Sequence, residues 1–283
     1  DAYVRCERLW SALGEFAPSA EITRRLPQRR AYPRSRAPAR ALRWLAGGAA
    51  VALAVVAGWK LLAPVPAPDV LYASAVGERR SVALADGTRV DLDTDTRLRV
   101  RYTERERWIT LDRGRAFFRV ARDPARPLHV DTPEGSVRAI GTQFEVYRRP
   151  RATDVALFEG KVQLQSSGRD GAARVLGTLA PGQRTQVRTG APLRVEAFNA
   201  ADAPGWISGR LVFEDQPLAI AIEEFNRYGG RWLRATDAEV GALRVSGVFR
   251  SDDPSGFVEA LRSVYGVSVR TDDAGAFELT AAP

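Results

Sequence analysis

Between residues 76 and 198, apolar and polar residues alternate along short runs that turn-forming residues separate. The turn dipeptide Asp86-Gly87 lies between two such runs, an arrangement typical of a β-hairpin. Because the runs recur about every 8 to 12 residues without helical periodicity between them, we predict an all-β, sandwich-like or barrel-like domain over residues 69–199. The alternating apolar positions are Val82, Leu84, Val90, Leu92, Leu98, Val100, Tyr102, Ile109, Leu111, Phe118, Val120, Leu128, Val130, Phe144, Val146, Val155, Leu157, Val162 and Leu164.

From residue 206 onward, helical periodicity appears between strand-like runs. Two amphipathic helices are predicted, with Pro217 and Pro254 in their first turns and Asp253 as the cap of the second. The order of elements is βαββαββ, which predicts a small α/β domain over residues 205–283 and a mainly β protein overall. The helical apolar positions are Leu218, Ala221, Ile222 and Phe225, followed by Phe257, Ala260, Leu261 and Val264; the strand positions are Leu211, Phe213, Trp232, Leu233, Leu243, Val245, Phe249, Val267, Val269, Phe277 and Leu279.

Residues 44–63 form the least polar stretch, with Lys60 as its only charge. Twenty helical residues span about 30 Å, the thickness of a bilayer core. Trp44 and Trp59 lie where interfacial anchors are common. A cleaved signal peptide would have its basic residues near the start of the chain, and a buried helix would not need the flanking charge described next. We therefore predict one transmembrane helix.

The charge of the chain is concentrated before this stretch. Residues 1–43 contain ten Arg and four acidic residues, which accounts for six of the formal net charge of +8. An arginine excess on one side of a span predicts that this side faces the cytoplasm, so the domains after residue 68 are predicted to be periplasmic in a single-pass inner-membrane protein. The basic residues are not spread over a folded face with interleaved aromatics, so we expect no direct nucleic-acid binding. The single cysteine, Cys6, lies on the predicted cytoplasmic side.

The first 43 residues suggest part of a longer domain. The sequence contains no Met, so we expect further sequence before residue 1. The helical spacing of apolar residues within residues 5–13 predicts the last helix of a cytoplasmic domain. Residues 17–40, rich in Pro, Arg and Ala, are typical of a linker.

The residue types needed for catalysis by the exported part are scarce. It contains no Cys and one His, His129. The residues around His129 alternate as in a strand, so we interpret His129 as a residue on one face of a sheet. The acidic pairs Asp91 with Asp93 and Asp252 with Asp253 are interpreted as solvated charges at turns or strand edges. We therefore predict no turnover enzyme, no cofactor and no metal site.

Several longer motifs resemble a known family. The runs "VALADGTRVDLDTDTRLRVRY", "ERWITLDRGRAFFRVARDPARPLHVDTPEGSVRAIGTQFEVY" and "VALFEGKVQL" resemble the exported domain of the FecR family of transmembrane anti-sigma factors. The region "GRLVFEDQPLAIAIEEFNRYGG" and the later run "LRVSGVFRSDDPSGFVEALRSVYGVSV" are similar to the secretin and TonB short N-terminal (STN) module. The opening "AYVRCERLWSAL" resembles the end of the family's sigma-binding domain, so the resemblance implies sigma-factor contact at Leu9, Trp10 and Leu13.

The resemblance implies a role in cell-surface signalling. The expected partners are an extracytoplasmic-function sigma factor in the cytoplasm and the N-terminal signalling module of a TonB-dependent outer-membrane receptor, of the kind that takes up iron siderophores. Because a small sheet with an exposed edge accepts a partner strand, the last domain is the expected receptor contact, at Leu211, Phe213, Arg227 and Tyr228. The alternative, which similar modules in secretins suggest, is a structural component of an envelope or secretion assembly.

The resemblance also singles out the motif "RAIGTQFEV", residues 138–146. Some members of the family are cut at a Gly-Thr bond in this motif without an added protease, before an intramembrane protease acts on the spanning helix. The implied bond is Gly141-Thr142, with the Thr142 hydroxyl as nucleophile and glycine permitting a strained backbone. The alternative is a glycine kink or bulge in a strand, with Thr142 merely exposed.

Overall fold

The described part of the chain contains two separate hydrophobic cores, one within residues 84–187 and the other within residues 211–279. The computed structural model describes residues 69–166, 174–200 and 203–281, which fall in one compact unit, Pro66–Pro283. The predicted membrane helix at 44–63 and the predicted sigma-binding residues Leu9, Trp10 and Leu13 lie outside the described residues. Within the described ranges, no helix has the length and apolar character needed to cross a membrane.

The first domain consists of antiparallel and parallel strands in two layers. One layer has the strand order β1-β4-β5-β6-β7-β10-β11, and the other has the order β2-β3-β5-β8-β9-β12-β13. The strands are β1 (Val70–Ala73), β2 (Arg80–Ala83), β3 (Arg89–Leu92), β4 (Arg97–Tyr102), β5 (Arg107–Arg119), β6 (Leu128–Thr132), β7 (Gly135–Ala139), β8 (Gln143–Arg149), β9 (Ala152–Glu159), β10 (Val162–Ser166), β11 (Val175–Leu179), β12 (Gln183–Val187) and β13 (Val195–Ala197).

Strand β5 belongs to both layers. Its first half pairs with β4 and β6, whereas the part from Gly114 to Arg119 pairs with β3 and β8. Gly114 has a φ of +86°, and a Cβ there would lie 2.3 Å from Oγ1 of Thr96, so only glycine fits at this bend. The sequence predicts two strands here, at Ile109 and Phe118. The structure joins them because β5 runs from Arg107 to Arg119 through the bend at Gly114 without a reversing turn.

The alternating apolar residues of the first domain fill the space between the two layers. Along β4, exposed and buried residues alternate, and Leu98 is completely buried. Removing such side chains from water supplies about 1.5–3 kcal/mol each. The mainly β class is therefore confirmed. The predicted runs omit β1, β7, β11, β12 and β13; β11 has one buried residue and every residue of β13 is exposed, so the apolar alternation is weak in both.

The second domain contains five strands, three α-helices and one short 3-10 helix (Gly205–Ser208) within residues 203–281. Strands β14 and β16 form an antiparallel pair, while β18 pairs in parallel with β15 and antiparallel with β17. The elements in chain order are β14 (Arg210–Pro217), α1 (Leu218–Asn226), β15 (Leu233–Ala235), α2 (Ala238–Ala242), β16 (Arg244–Arg250), α3 (Pro254–Tyr265), β17 (Ser268–Thr271) and β18 (Phe277–Thr280).

The helix boundaries follow their capping residues. The predicted cap of α3 is confirmed, because Asp253 accepts a hydrogen bond from the Gly256 amide at 2.8 Å. Pro217 caps α1 as the last residue of β14, instead of lying in the first turn as predicted. Helix α2 is absent from the predicted order; at five residues it is too short for periodicity to indicate, and its signal is the cap at Asp237, which accepts from the Val240 amide.

Candidate functional site

A buried group of charged residues joins the two domains. Asp93, after β3, has no exposed surface, and its carboxylate accepts from the Arg115 side chain of β5 at 2.8 Å. Across the boundary, the Tyr228 hydroxyl donates to the same carboxylate at 2.8 Å, and the Arg227 guanidinium lies 3.0 Å from it. These residues, with Glu224, are called the junction network below.

Glu224 on α1 completes the network from the second domain. Its carboxylate accepts from Arg115 at 2.5 Å and from Arg227 at 3.0 Å. Burial alone would raise the pKa of Glu224, but the charges of Arg115 and Arg227 outweigh burial and hold that pKa below its ordinary value. The network therefore holds two cations and two carboxylates within a boundary that excludes most water.

Aromatic side chains surround the guanidinium groups of the network. The Arg227 guanidinium lies 4.5 Å from the ring centre of Tyr147, and that of Arg115 lies 5.2 Å from the ring of Trp206. Such cation–π contacts contribute about 0.5–2 kcal/mol each, depending on desolvation. Trp206 also donates from Nε1 to Glu145 on β8 at 2.5 Å. Burial raises the pKa of Glu145, because it outweighs the attraction of Arg115 and the bond from Trp206.

Further contacts between the two domains extend the boundary beyond the network. The Thr94 hydroxyl donates to the Arg227 carbonyl oxygen at 2.9 Å, and the Arg79 side chain donates to the Ser251 hydroxyl at 3.0 Å. A Cβ at Gly77 would lie 2.9 Å from the Tyr228 carbonyl oxygen, so the close approach requires glycine. The two domains are thus held together by several independent contacts.

A cleft of about 870 Å³ opens beside the network. It is lined by residues of β8, β9, β12 and β13 from the first domain and of β14 and α1 from the second. Its lining includes arginines and carboxylates, together with the exposed aliphatic side chains of Val212 and Ile220. Within the described ranges, no group of three or more metal-binding side chains forms a metal site.

The predicted cleavage bond lies in the turn between β7 and β8. Gly141 has a φ of +66°, and a Cβ there would lie 3.0 Å from the Arg122 side chain. Thr142 is 3% exposed, and its hydroxyl is buried with no hydrogen-bond partner in the described part of the chain. The alternative of a merely exposed Thr142 is therefore wrong, because the side chain packs against Gly160, where a Cβ would lie 2.8 Å from Cγ2 of Thr142.

The four predicted receptor-contact residues occupy two different places. Leu211 and Phe213 point into the core of the second domain, where the Phe213 ring lies near the rings of the helices. Arg227 and Tyr228 belong to the junction network. Receptor contact at these residues stays a prediction, but with these side chains buried a partner strand would have to engage the backbone of β14.

Two of the residues interpreted as solvated charges are buried. Asp93 is the centre of the junction network and Asp91 is 8% exposed, with Arg119 as its ion-pair partner, so the solvated interpretation is wrong for both. Their partners lie far away in sequence, and the pattern of β3 alone does not reveal them. Asp252 is exposed beside Arg250, while Asp253 caps α3.

His129 is buried in β6 and stacks on Trp108, with ring centres 4.3 Å apart, as a sheet residue would.

Sequence reasoning missed Arg115, Glu145, Trp206 and Glu224 as site residues. One signal was available: Gln143, Glu145 and Tyr147 are the polar positions of β8, at the spacing that places them on one face of a strand. That face points to the junction instead of to solvent.

The fold and the junction define a β-sandwich coupled to a small α/β domain. Residues 70–163 match the family model described as FecR protein. The predicted resemblance of this segment to the FecR family is therefore confirmed. Two crystal structures of a candidate anti-sigma factor from Parabacteroides distasonis share the fold, with TM-scores of 0.63 and 0.64 and 23% identity; each match covers 76% of this chain and 100% of that one. No curated protein matches the sequence.

Proposed function

We propose that this protein is an anti-sigma factor that relays a signal across the inner membrane to an extracytoplasmic-function sigma factor. The match of residues 70–163 to the FecR family model carries the proposal. The fold shared with the candidate anti-sigma factor extends this support beyond the matched segment. The cognate extracytoplasmic-function sigma factor should co-purify with the full chain and lose that association on Leu9→Asp and Leu13→Asp. Unchanged co-purification would remove these residues from the sigma contact, and absence of any sigma factor in the complex would contradict the role.

The proposed topology has the N terminus in the cytoplasm and both described domains in the periplasm. The arginine excess before residue 44 supports this orientation. Alkaline phosphatase fused after Ala200 should be active, and the same enzyme fused after Arg40 should be inactive. The reverse pattern would refute the compartment assignment.

The periplasmic partner in this proposal is the N-terminal signalling module of a TonB-dependent receptor, with siderophore uptake as the sensed process. The STN-like motifs of residues 205–283 support it. Calorimetry between the full chain and the signalling module of its cognate receptor should show binding at micromolar concentrations. If both proteins are folded and no heat appears, the receptor assignment fails, and a structural role in an envelope assembly becomes the better description.

A second proposed activity is self-cleavage at Gly141-Thr142, followed by an intramembrane protease acting on the spanning helix. The unpartnered, buried Thr142 hydroxyl beside a glycine with positive φ supports it. The hydroxyl oxygen would attack the Gly141 carbonyl carbon, the C–N bond would break, and its nitrogen would take the proton to leave an ester and a free amine. Water would then hydrolyse the ester to the Gly141 carboxylate and the Thr142 hydroxyl.

Mass spectrometry of purified protein tests this activity. The unaltered chain should yield two fragments, Thr142→Ala should stay intact, and Thr142→Ser should be cut because it keeps a hydroxyl. Thr88→Ala, at another Gly-Thr dipeptide, is the matched control and should leave cleavage unchanged. If the unaltered chain remains entirely uncut after long incubation, Thr142 is not a nucleophile.

A further inference from the structure

We propose that the cleft beside the junction network binds an extended, acidic segment of a partner protein, which adds as a β-strand to an open edge of the cleft. This inference rests on the proposed function, since it gives the chemistry by which the periplasmic partner is recognised. It differs from the sequence-based expectation in its location, because the surface is shared by both domains, and the buried Leu211 and Phe213 in its wall are not the residues that recognise the partner.

Unpaired positive charge favours an acidic occupant. Three cleft arginines already have carboxylate partners: Arg115 with Glu224, Arg149 with Asp154, and Arg184 with Glu196. The other three are Arg188, Arg194 and Arg210, which are exposed and have no carboxylate partner among the described residues. Arg210 donates only to the Ser208 hydroxyl. A carboxylate entering the cleft would therefore meet guanidinium groups that no acid of the described ranges neutralises.

Two strands that line the cleft each have one unpaired edge in the described structure. β13 pairs only with β12, and β14 pairs only with β16. The residues of β13 are all exposed, and Val212 on β14 is 52% exposed. Open edges of this kind hydrogen-bond an added strand through its backbone, so the occupant needs an extended conformation.

The side chains beside these edges suggest an alternating pattern in the occupant. Val212 and Ile220 offer apolar surface, whereas the unpaired arginines lie elsewhere around the same cleft. A strand presents successive side chains to opposite faces, so alternating acidic and aliphatic residues would match both surfaces. A nucleic acid fits less well. Bases need free aromatic rings for stacking, but the ring of Tyr147 already packs against Arg149 and Arg227, and Phe158 packs against Phe198.

Fluorescence anisotropy with a defined peptide tests the inference. The probe is fluorescein-labelled acetyl-(Glu-Val)4-amide, titrated with the full chain in low salt. We expect saturable binding that weakens with added salt, and at least about tenfold weaker binding to the triple variant Arg188→Glu, Arg194→Glu, Arg210→Glu. Arg89→Glu with Arg270→Glu is the matched control, since both residues are exposed and lie outside the cleft, and it should bind the peptide as the unaltered chain does.

Further probes separate the two parts of the inference. A (Lys-Val)4 peptide should not bind, and (Glu-Val)4 with alternate N-methylated amides should bind about tenfold more weakly, because it cannot complete strand pairing. Equal binding by the Lys peptide, by the N-methylated peptide or by the triple variant would overturn the inference, as would tighter binding of oligothymidine than of the peptide. If the receptor module binds the full chain but (Glu-Val)4 does not, the acidic-strand inference fails and the proposed receptor partner stands. If (Glu-Val)4 binds but the receptor module does not, the cleft remains a site for an acidic strand and the proposed receptor partner is refuted.

Discussion

Asp93→Asn should destabilise the protein far more than the same substitution at an exposed ion pair. Asp93 is completely buried and accepts from Arg115, Arg227 and Tyr228, which come from both domains. Replacing its carboxylate by an amide leaves two buried guanidinium groups with Glu224 as the remaining carboxylate of the network, and places amide hydrogens against donors. Breaking a buried ion pair in this way costs about 3–5 kcal/mol.

The matched control is Asp112→Asn, which also removes a carboxylate that accepts twice from one arginine. Its partner Arg99 donates at 3.0 and 2.7 Å, but the two side chains are 44% and 29% exposed. Solvent screens this pair, so its loss should cost less than about 1 kcal/mol. Urea unfolding followed by tryptophan fluorescence measures both, since Trp206 lies at the junction and reports its opening.

A difference of less than about 1 kcal/mol between the two variants would contradict this prediction. It would mean that the junction is held by packing alone and that its charges are compensated by water when Asp93 is neutralised. A lower m value in Asp93→Asn, with two separated transitions, would support the view that the network couples the unfolding of the two domains.

The other predictions concern the same junction and the bend of β5. Tyr228→Phe keeps the ring but removes the hydroxyl that donates to Asp93, and should cost about 1.5 kcal/mol in thermal or urea unfolding; a neutral result would contradict the hydrogen bond. Because burial raises the folded pKa of Glu145 above 4.5, its ionisation costs stability as pH rises above that value, so Glu145→Gln should flatten this loss and raise the thermal midpoint at pH 7. For Glu224 the pH dependence of stability has the opposite sign, because its folded pKa is lowered. The ionised carboxylate stabilises the folded state above pH 4.5, and this stabilisation is lost as pH falls through the folded pKa; Glu224→Gln should abolish this pH dependence. Gly114→Ala should cost more than about 3 kcal/mol because its Cβ would overlap Thr96, whereas Gly190→Ala, with positive φ but open space, should cost about 1 kcal/mol.

Local patterns predicted the elements well where one face of a strand or helix is buried. The strand positions Leu98 and Val100, and the helix start at Asp253, depend only on neighbours within a few residues. Helix α2 was not predicted, because five residues contain too little helical periodicity. The single strand β5 appeared as two because a bend at one glycine looks, in sequence, like a gap between strands.

The junction could not be predicted in the same way, because its partners are distant in the chain. Arg115 and Glu224 are separated by 109 residues, and nothing in either local pattern links them. A charged residue on the polar face of a strand is usually solvated, and only the tertiary structure shows that the second domain covers this face. The burial of Thr142 is a similar case, since it depends on Gly160 from the loop after β9.

The placement of β5 in both layers has a mechanical consequence for a chain cut at Gly141-Thr142. Strands β1 to β7 would belong to one fragment and the remaining strands to the other, yet β5 would still be hydrogen-bonded to β8, and β7 to β10. Separation would then require β8 to be stripped from β5 in one layer and β10 from β7 in the other. The two fragments of the nicked protein would therefore stay associated until a pulling force separates the paired strands. The lifetime of their association would depend on that force and not on the chemistry of the cut. Single-molecule stretching of nicked and intact chains would measure that lifetime directly.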